Sequence, residues 1–98
     1  MTGQLDEVSD EVGAGWHPLV AQLHVDLLAL DPDYRVAQVK EKCGQLRVYL
    51  TSNFTVEIDE LIDAAEDASL SICDVCGQPG SPRIIGGWIY TRCGAPGC

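Results

Sequence analysis

Four cysteines near the C-terminus carry the chemistry that is legible in this chain. Cys73 and Cys76 form a C-x2-C pair followed by Gly77; sixteen residues then intervene before Cys93, and four more separate it from Cys98. A C-x2-C turn aims two thiolates at one ion, and a second cysteine pair supplies the other half of a tetrahedron. Gly77 permits the tight turn after the first pair. The expected site is therefore one structural Zn2+ per chain, held by Cys73, Cys76, Cys93 and Cys98. Two disulfides are disfavoured by the odd count of five cysteines and by the lack of a secretory signal. Iron stays open, because four thiolates take either metal. If Cys98 does not bind, His17 or His24 would complete the set.

Four thiolates close the coordination shell, whereas catalytic zinc keeps an open position. No Ser-His-Asp set, phosphate-binding glycine loop or histidine-rich metal motif accompanies the cysteines. The chain is thus expected not to be an enzyme. Structural zinc contributes apparent binding energy on the order of 10–16 kcal/mol in finger peptides, so the C-terminal third should fold only with its metal. The fifth cysteine, Cys43, stands alone in an apolar context and reads as a small buried hydrophobe.

The elements that position these ligands follow from periodicity. Arg83-Ile84-Ile85 and Trp88-Ile89-Tyr90-Thr91 flank Gly86-Gly87, a dipeptide suited to the positive φ angles of a two-residue hairpin turn. That hairpin would return Cys93 beside Cys73. Upstream, Leu19, Val20, Leu23, Leu27, Leu28 and Leu30 recur at helical spacing from Trp16 until Asp31-Pro32. His17 and His24 lie seven apart on that helix, two turns along one face. In residues 34–51 two templates compete. Val36, Val39 and Cys43 fit a helix ended by Gly44, but Leu46, Val48 and Leu50 alternate with Arg47, Tyr49 and Thr51. A β-hairpin turning near Lys42 to Gln45 is the expectation.

Ser52, Asn53 and Thr55 then offer N-caps for a helix over about 55–69, whose apolar stripe is Ile58, Leu61, Ile62, Ala65 and Ala68. Glu57, Asp59, Glu60, Asp63, Glu66 and Asp67 cover its other faces, which are either solvated or bound to something basic.

Ninety-eight residues leave room for one domain or for one small domain with a zinc-sized appendage. Residues 1–15 are acidic, glycine-bearing and free of aromatics, and are expected to be a disordered acidic tail. Residues 16–71 then form a helix–hairpin–helix core, and residues 72–98 a zinc-binding hairpin module packed on it. The fold class is α+β: two helices on a small antiparallel sheet, with a C-terminal zinc ribbon or treble-clef-like module. An exposed hairpin edge would allow a homodimer.

Net charge is −9, from six Lys and Arg against fifteen Asp and Glu. Such a field repels nucleic acid and anionic lipid, so binding to nucleic acid by a basic face is disfavoured. No apolar run approaches the roughly 18 residues of a membrane span.

The blocks VKEKCGQLRVYL, SICDVCGQPGSPR and GGWIYTRC, in that order around an acidic helix, resemble a group of small bacteriophage and prophage proteins. Their text runs approximately KEKFG-x-LR-x-Y, then C-x2-CG-x-PG, Arg, GW and T-x-C-x2-H. Lys40, Glu41, Lys42, Gly44, Leu46, Arg47 and Tyr49 match the first block. Cys73, Cys76, Gly77, Pro79, Gly80, Arg83, Gly87, Trp88, Thr91 and Cys93 match the second. Cys43 stands where the group has phenylalanine, and Cys98 where it has a histidine closer to the third cysteine. The resemblance implies a phage-encoded accessory protein with a zinc-stabilised fold, acting in the cytoplasm of a bacterial host.

The expected function is that of an acidic protein-binding module that inhibits a host nucleic-acid-processing or anti-phage defence protein. Its partner would present a basic surface, met by Glu57, Glu60, Asp63 and Asp67. Arg47, Tyr49, Trp88 and Tyr90 are the anchor candidates, since aromatic residues and arginine are enriched at binding hot spots. The alternative is a zinc-ribbon nucleic-acid binder using Arg83, Arg92 and the hairpin aromatics.

Overall fold

The computed structural model describes residues 3–51 and 55–96. Cys98, and the cap candidates Ser52 and Asn53, lie outside them. Among the described residues the order is α1 (Leu5–Val8), two 3-10 turns (Ser9–Glu11 and Ala14–Trp16), α2 (His17–Leu30), β1 (Val36–Lys42), β2 (Gln45–Leu50), α3 (Val56–Ser69), β3 (Ser81–Ile85) and β4 (Trp88–Arg92). The class is α+β, with the strands in two separate antiparallel hairpins.

Helix α2 starts with Pro18 in its first turn, where the missing N–H costs nothing, and buries Val20, Leu23 and Leu27. Leu30, expected on that stripe, is exposed. Helix α3 starts at Thr55, whose Oγ1 accepts the Ile58 N–H at 3.3 Å. It buries Ile58, Ile62 and Ala65.

Val36–Lys42 form strand β1, so the strand pattern wins over the helical one. The β1–β2 turn is Cys43-Gly44, both at positive φ (53° and 80°), as a two-residue type I′ connection requires. Val39 and Val48 pair across the strands and point into the core. The outer edge of β2 is covered by α3. The Leu46 N–H donates to Ser69 Oγ at 2.9 Å and the Val48 N–H to a Glu66 carboxylate oxygen at 3.0 Å. Side chains of a helix thereby satisfy the donors that an edge strand leaves open.

Two expectations are corrected. The described part of the acidic N-terminal segment is not a disordered tail. Leu5 is wholly buried, Val12 lies in the core, and the Val36 N–H donates to the Gly3 carbonyl at 2.7 Å. Gln4 clamps the segment by donating to the carbonyls of Pro32 (2.9 Å) and Tyr34 (3.1 Å). Leu5, Val8 and Val12 form one short apolar stripe, whose burial offsets the entropy of ordering a charged segment. Cys43 is likewise not a core residue. It sits at the tip of a tight turn, and its side chain is exposed.

Candidate metal centre

The centre begins with a backbone knuckle that follows α3. The Cys73 N–H donates to the Gln78 carbonyl at 2.8 Å and the Gly77 N–H to the Cys73 carbonyl at 3.0 Å, folding residues 73–78 into a tight loop. Gly77 has φ of 84°, which a side chain would strain. The β3–β4 hairpin then turns at Gly86-Gly87, both at positive φ, and its return strand delivers Cys93 to the knuckle.

The sulfurs of Cys73, Cys76 and Cys93 all lie within 4.8 Å of one another. Cys76 Sγ and Cys93 Sγ are 3.6 Å apart. A disulfide would need about 2.05 Å. Thiolates around a tetrahedral ion with metal–sulfur bonds of about 2.3 Å are instead separated by about 3.8 Å. The three cysteines can therefore hold a metal ion. Burial pushes the Cys73 thiol up, but the backbone amides of Cys76, Val75 and Cys93, with the Cys76 side chain, overcome it and bring Cys73 down to about 6 from 9.0. Converging N–H donors stabilise a thiolate, the form that binds metal.

The alternative ligands are engaged elsewhere. His17 Nε2 contacts the Val12 carbonyl at 3.1 Å, and His24 Nδ1 contacts the Tyr34 hydroxyl. Neither joins the three cysteines.

Residues with no metal-binding chemistry hold the knuckle in place, and the N-terminal segment supplies several of them. The Gly15 N–H donates to the Asp74 carbonyl at 2.9 Å, and Trp16 Nε1 donates to the Ile72 carbonyl at 2.8 Å. A Cβ on Gly15 would fall 2.0 Å from the Cys73 carbonyl oxygen, and one on Gly13 would fall 2.1 Å from that of Asp74. Only glycine allows this approach. On the other side the Asp74 N–H donates to the Thr91 carbonyl at 3.0 Å, and Arg92 Nε donates to the Asp74 carboxylate. The signals for these supports were the pair Gly13 and Gly15 just before a tryptophan, and an aspartate inside the C-x2-C turn.

The partner-binding candidates do not form one surface. Arg47, Asp63 and Tyr49 line a groove between β2 and α3, together with Asp59, Ile62 and Glu66. Arg47 Nε is buried there without a hydrogen-bond partner among the described residues. Glu57 and Glu60 line a different groove, between α3 and α2. Asp67 is solvent-exposed. Trp88 and Tyr90 belong to the second hairpin, where cross-strand pairing sets Trp88 beside Ile85 and Tyr90 beside Arg83. The Arg92 guanidinium lies 4.6 Å from the Tyr90 ring centroid.

Among the described residues no helix is long and apolar enough to cross a membrane. No family model, curated protein or solved structure matches the chain.

Proposed function

We propose that the chain is a non-catalytic protein-binding module, stapled by one structural Zn2+ and using the β3–β4 hairpin as an apolar docking element. The observation that carries this reading is the exposure of that hairpin. Ile84 is 78% and Trp88 72% exposed, with Ile85 and Ile89 also open to solvent, on ten strand residues. Single exposed apolar residues are ordinary on a protein surface, but here cross-strand pairing sets Ile84 with Ile89 on one face and Ile85 with Trp88 on the other, so both faces of one short hairpin end in an exposed apolar pair, an exposure that marks an interaction site. The tether is rigid enough to present it. The thiolate cluster fixes one end, and Thr91 Oγ1 donates to the Gly44 carbonyl at 2.6 Å.

Zinc fits the cluster because it favours a tetrahedral thiolate set without redox chemistry, and Cys98, outside the described residues, is the sequence's candidate for the fourth thiolate. The acidic face of α3 adds long-range attraction to a partner with a basic surface. In the phage setting that the sequence resemblance implies, that partner is a host protein such as a nucleic-acid-processing or defence factor.

One observation favours a second reading, a nucleic-acid stacking platform. Residues 75–98 hold Arg83 and Arg92 and no carboxylate side chain, and Trp88 and Tyr90 share a hairpin face with both arginines. Against it stand the net charge of −9 and the engagement of Arg92 by Asp74 and Tyr90.

Native mass spectrometry on protein exposed to host lysate without chelator tests the first reading. The expected result is one zinc per chain and a host protein that is retained by wild type and lost with Ile84→Ser/Trp88→Ala, while the zinc stays. Loss of zinc binding by wild type overturns the staple. Retention of the same partner by the hairpin variant overturns the docking element, and bound nucleic acid instead of protein promotes the second reading.

A further inference from the structure

A second surface has a composition that points to its occupant. Between the C-terminal half of α2 and the start of α3 lies an open groove of about 500 Å³, lined by Asp26, Ala29, Leu30, Glu57, Glu60 and Leu61. Its floor is apolar, and Leu30 is 49% exposed although it belongs to the apolar run of its helix. Val25 and Val56, adjacent in sequence to the rim residues Asp26 and Glu57, are also exposed. The rim carries three carboxylates, and among the described residues no Lys or Arg lines the groove.

The helix ends reinforce this sign. Helix α2 has no basic residue in its last turn, so its own side chains do not counter the negative end of its dipole beside Leu30. The acidic first turn of α3 suits its own dipole and places Glu57 on the rim of the groove, with Glu60 one turn further along the helix. An apolar floor of helical residues inside a ring of anions complements one kind of ligand, an amphipathic helical segment with Leu-like anchors and Lys or Arg beside them. A nucleic acid or anionic membrane is repelled by the same rim.

We infer that the α2–α3 groove docks a basic amphipathic helical segment of the partner protein, a second contact that adds to the hairpin. It rests on the reading of the chain as a protein-binding module and assigns the acidic half of that binding to Asp26, Glu57 and Glu60. Asp63 lies outside this groove, on the β2 side of α3.

The test is a backbone amide NMR titration of the full zinc-loaded chain with an amphipathic Leu/Lys peptide of about 14 residues, four helical turns. A Leu/Glu peptide of the same pattern is the control. Saturable shifts centred on Asp26, Leu30, Glu57, Glu60 and Leu61 with the Lys peptide alone are expected. Affinity should fall severalfold between about 50 and about 300 mM salt. Glu57→Lys/Glu60→Lys should weaken binding about tenfold or more without moving resonances of the metal centre.

Equal response to both peptides, shifts confined to the hairpin, or no shifts at all each overturn the assignment. So do groove shifts that grow with protein concentration in the absence of peptide, which would name a second copy as the occupant. Ile84→Ser/Trp88→Ala should leave this titration unchanged, so a failed groove is distinguishable from a failed hairpin.

Discussion

Thr91 and Gly44 are joined across forty-seven positions of sequence by a 2.6 Å hydrogen bond from the threonine hydroxyl to the glycine carbonyl. Thr91 is fully buried, and a Cβ on Gly44 would approach Ile89, Tyr90 and Thr91 at 3.2 Å. The first hairpin therefore meets the second through the backbone of its own turn. This contact fastens the cysteine module to the core through atoms that are not metal ligands. Thr91→Val leaves the Gly44 carbonyl without that donor and should cost about 1–3 kcal/mol. Hydrogen exchange in β4 should accelerate while metal content is unchanged; Thr91→Ser should retain most of the protection.

Metal removal should act on one part of the molecule. The core of α2, α3 and the first hairpin is apolar and continuous, whereas residues 73–96 bury only Cys73, Asp74 and Thr91. Chelation, or Cys76→Ser, is expected to abolish the dispersed amide resonances of residues 73–96 and to leave those of α2 and β2 in place. A spectrum unchanged by chelator would show that the metal contributes nothing to this fold.

The N-terminal segment should behave as structure. Leu5→Ala empties a fully buried site and should destabilise the core by about 2–5 kcal/mol in denaturant unfolding. Gly15→Ala drives a Cβ into the Cys73 carbonyl and should weaken metal retention in a chelator competition. Gly86→Ala is the control. Its φ is 59° with nothing within 4 Å, so only backbone strain of about 1 kcal/mol is expected, and metal binding should not change.

Tyr34 supplies a pH dependence. Burial raises its hydroxyl above 10.0, opposed by the Leu5 N–H that donates to it at 2.9 Å. The folded state thus prefers the neutral phenol. Its contribution is fully present below the unfolded value of 10.0 and is lost as pH rises from there through the higher folded value. Unfolding free energy should drop above about pH 10 in wild type. Tyr34→Phe should be less stable at neutral pH, by about 1 kcal/mol for the lost hydrogen bonds, and should show a smaller alkaline drop.

Cys43 occupies a left-handed conformation, φ 53°, at an exposed turn tip. Asparagine tolerates that region better, and Asn-Gly is the preferred type I′ pair. Cys43→Asn should raise thermal stability by up to about 1 kcal/mol and keep the metal. A loss of stability would mean that the thiol has a packing role that its exposure does not reveal.

Much of the local structure was determined by the sequence alone. Gly44 and Gly86-Gly87 marked both hairpin turns because a two-residue connection needs positive φ, and Thr55 marked a helix start because its hydroxyl sits three residues before an unsatisfied N–H. Cys73, Cys76 and Cys93 were legible as one ligand set because a C-x2-C turn and a hairpin constrain distances within short stretches of chain. What only the tertiary structure decided involves contacts between distant segments. Leu5, Val8 and Val12 looked like scattered apolar residues in an acidic run until α2 and the first hairpin offered a surface to cover. Gly15 against Cys73, Ser69 against the edge of β2, and Thr91 against Gly44 leave no periodic trace, because each depends on which two surfaces meet. Periodicity records how one element divides between core and solvent, and it carries no record of the neighbour it meets.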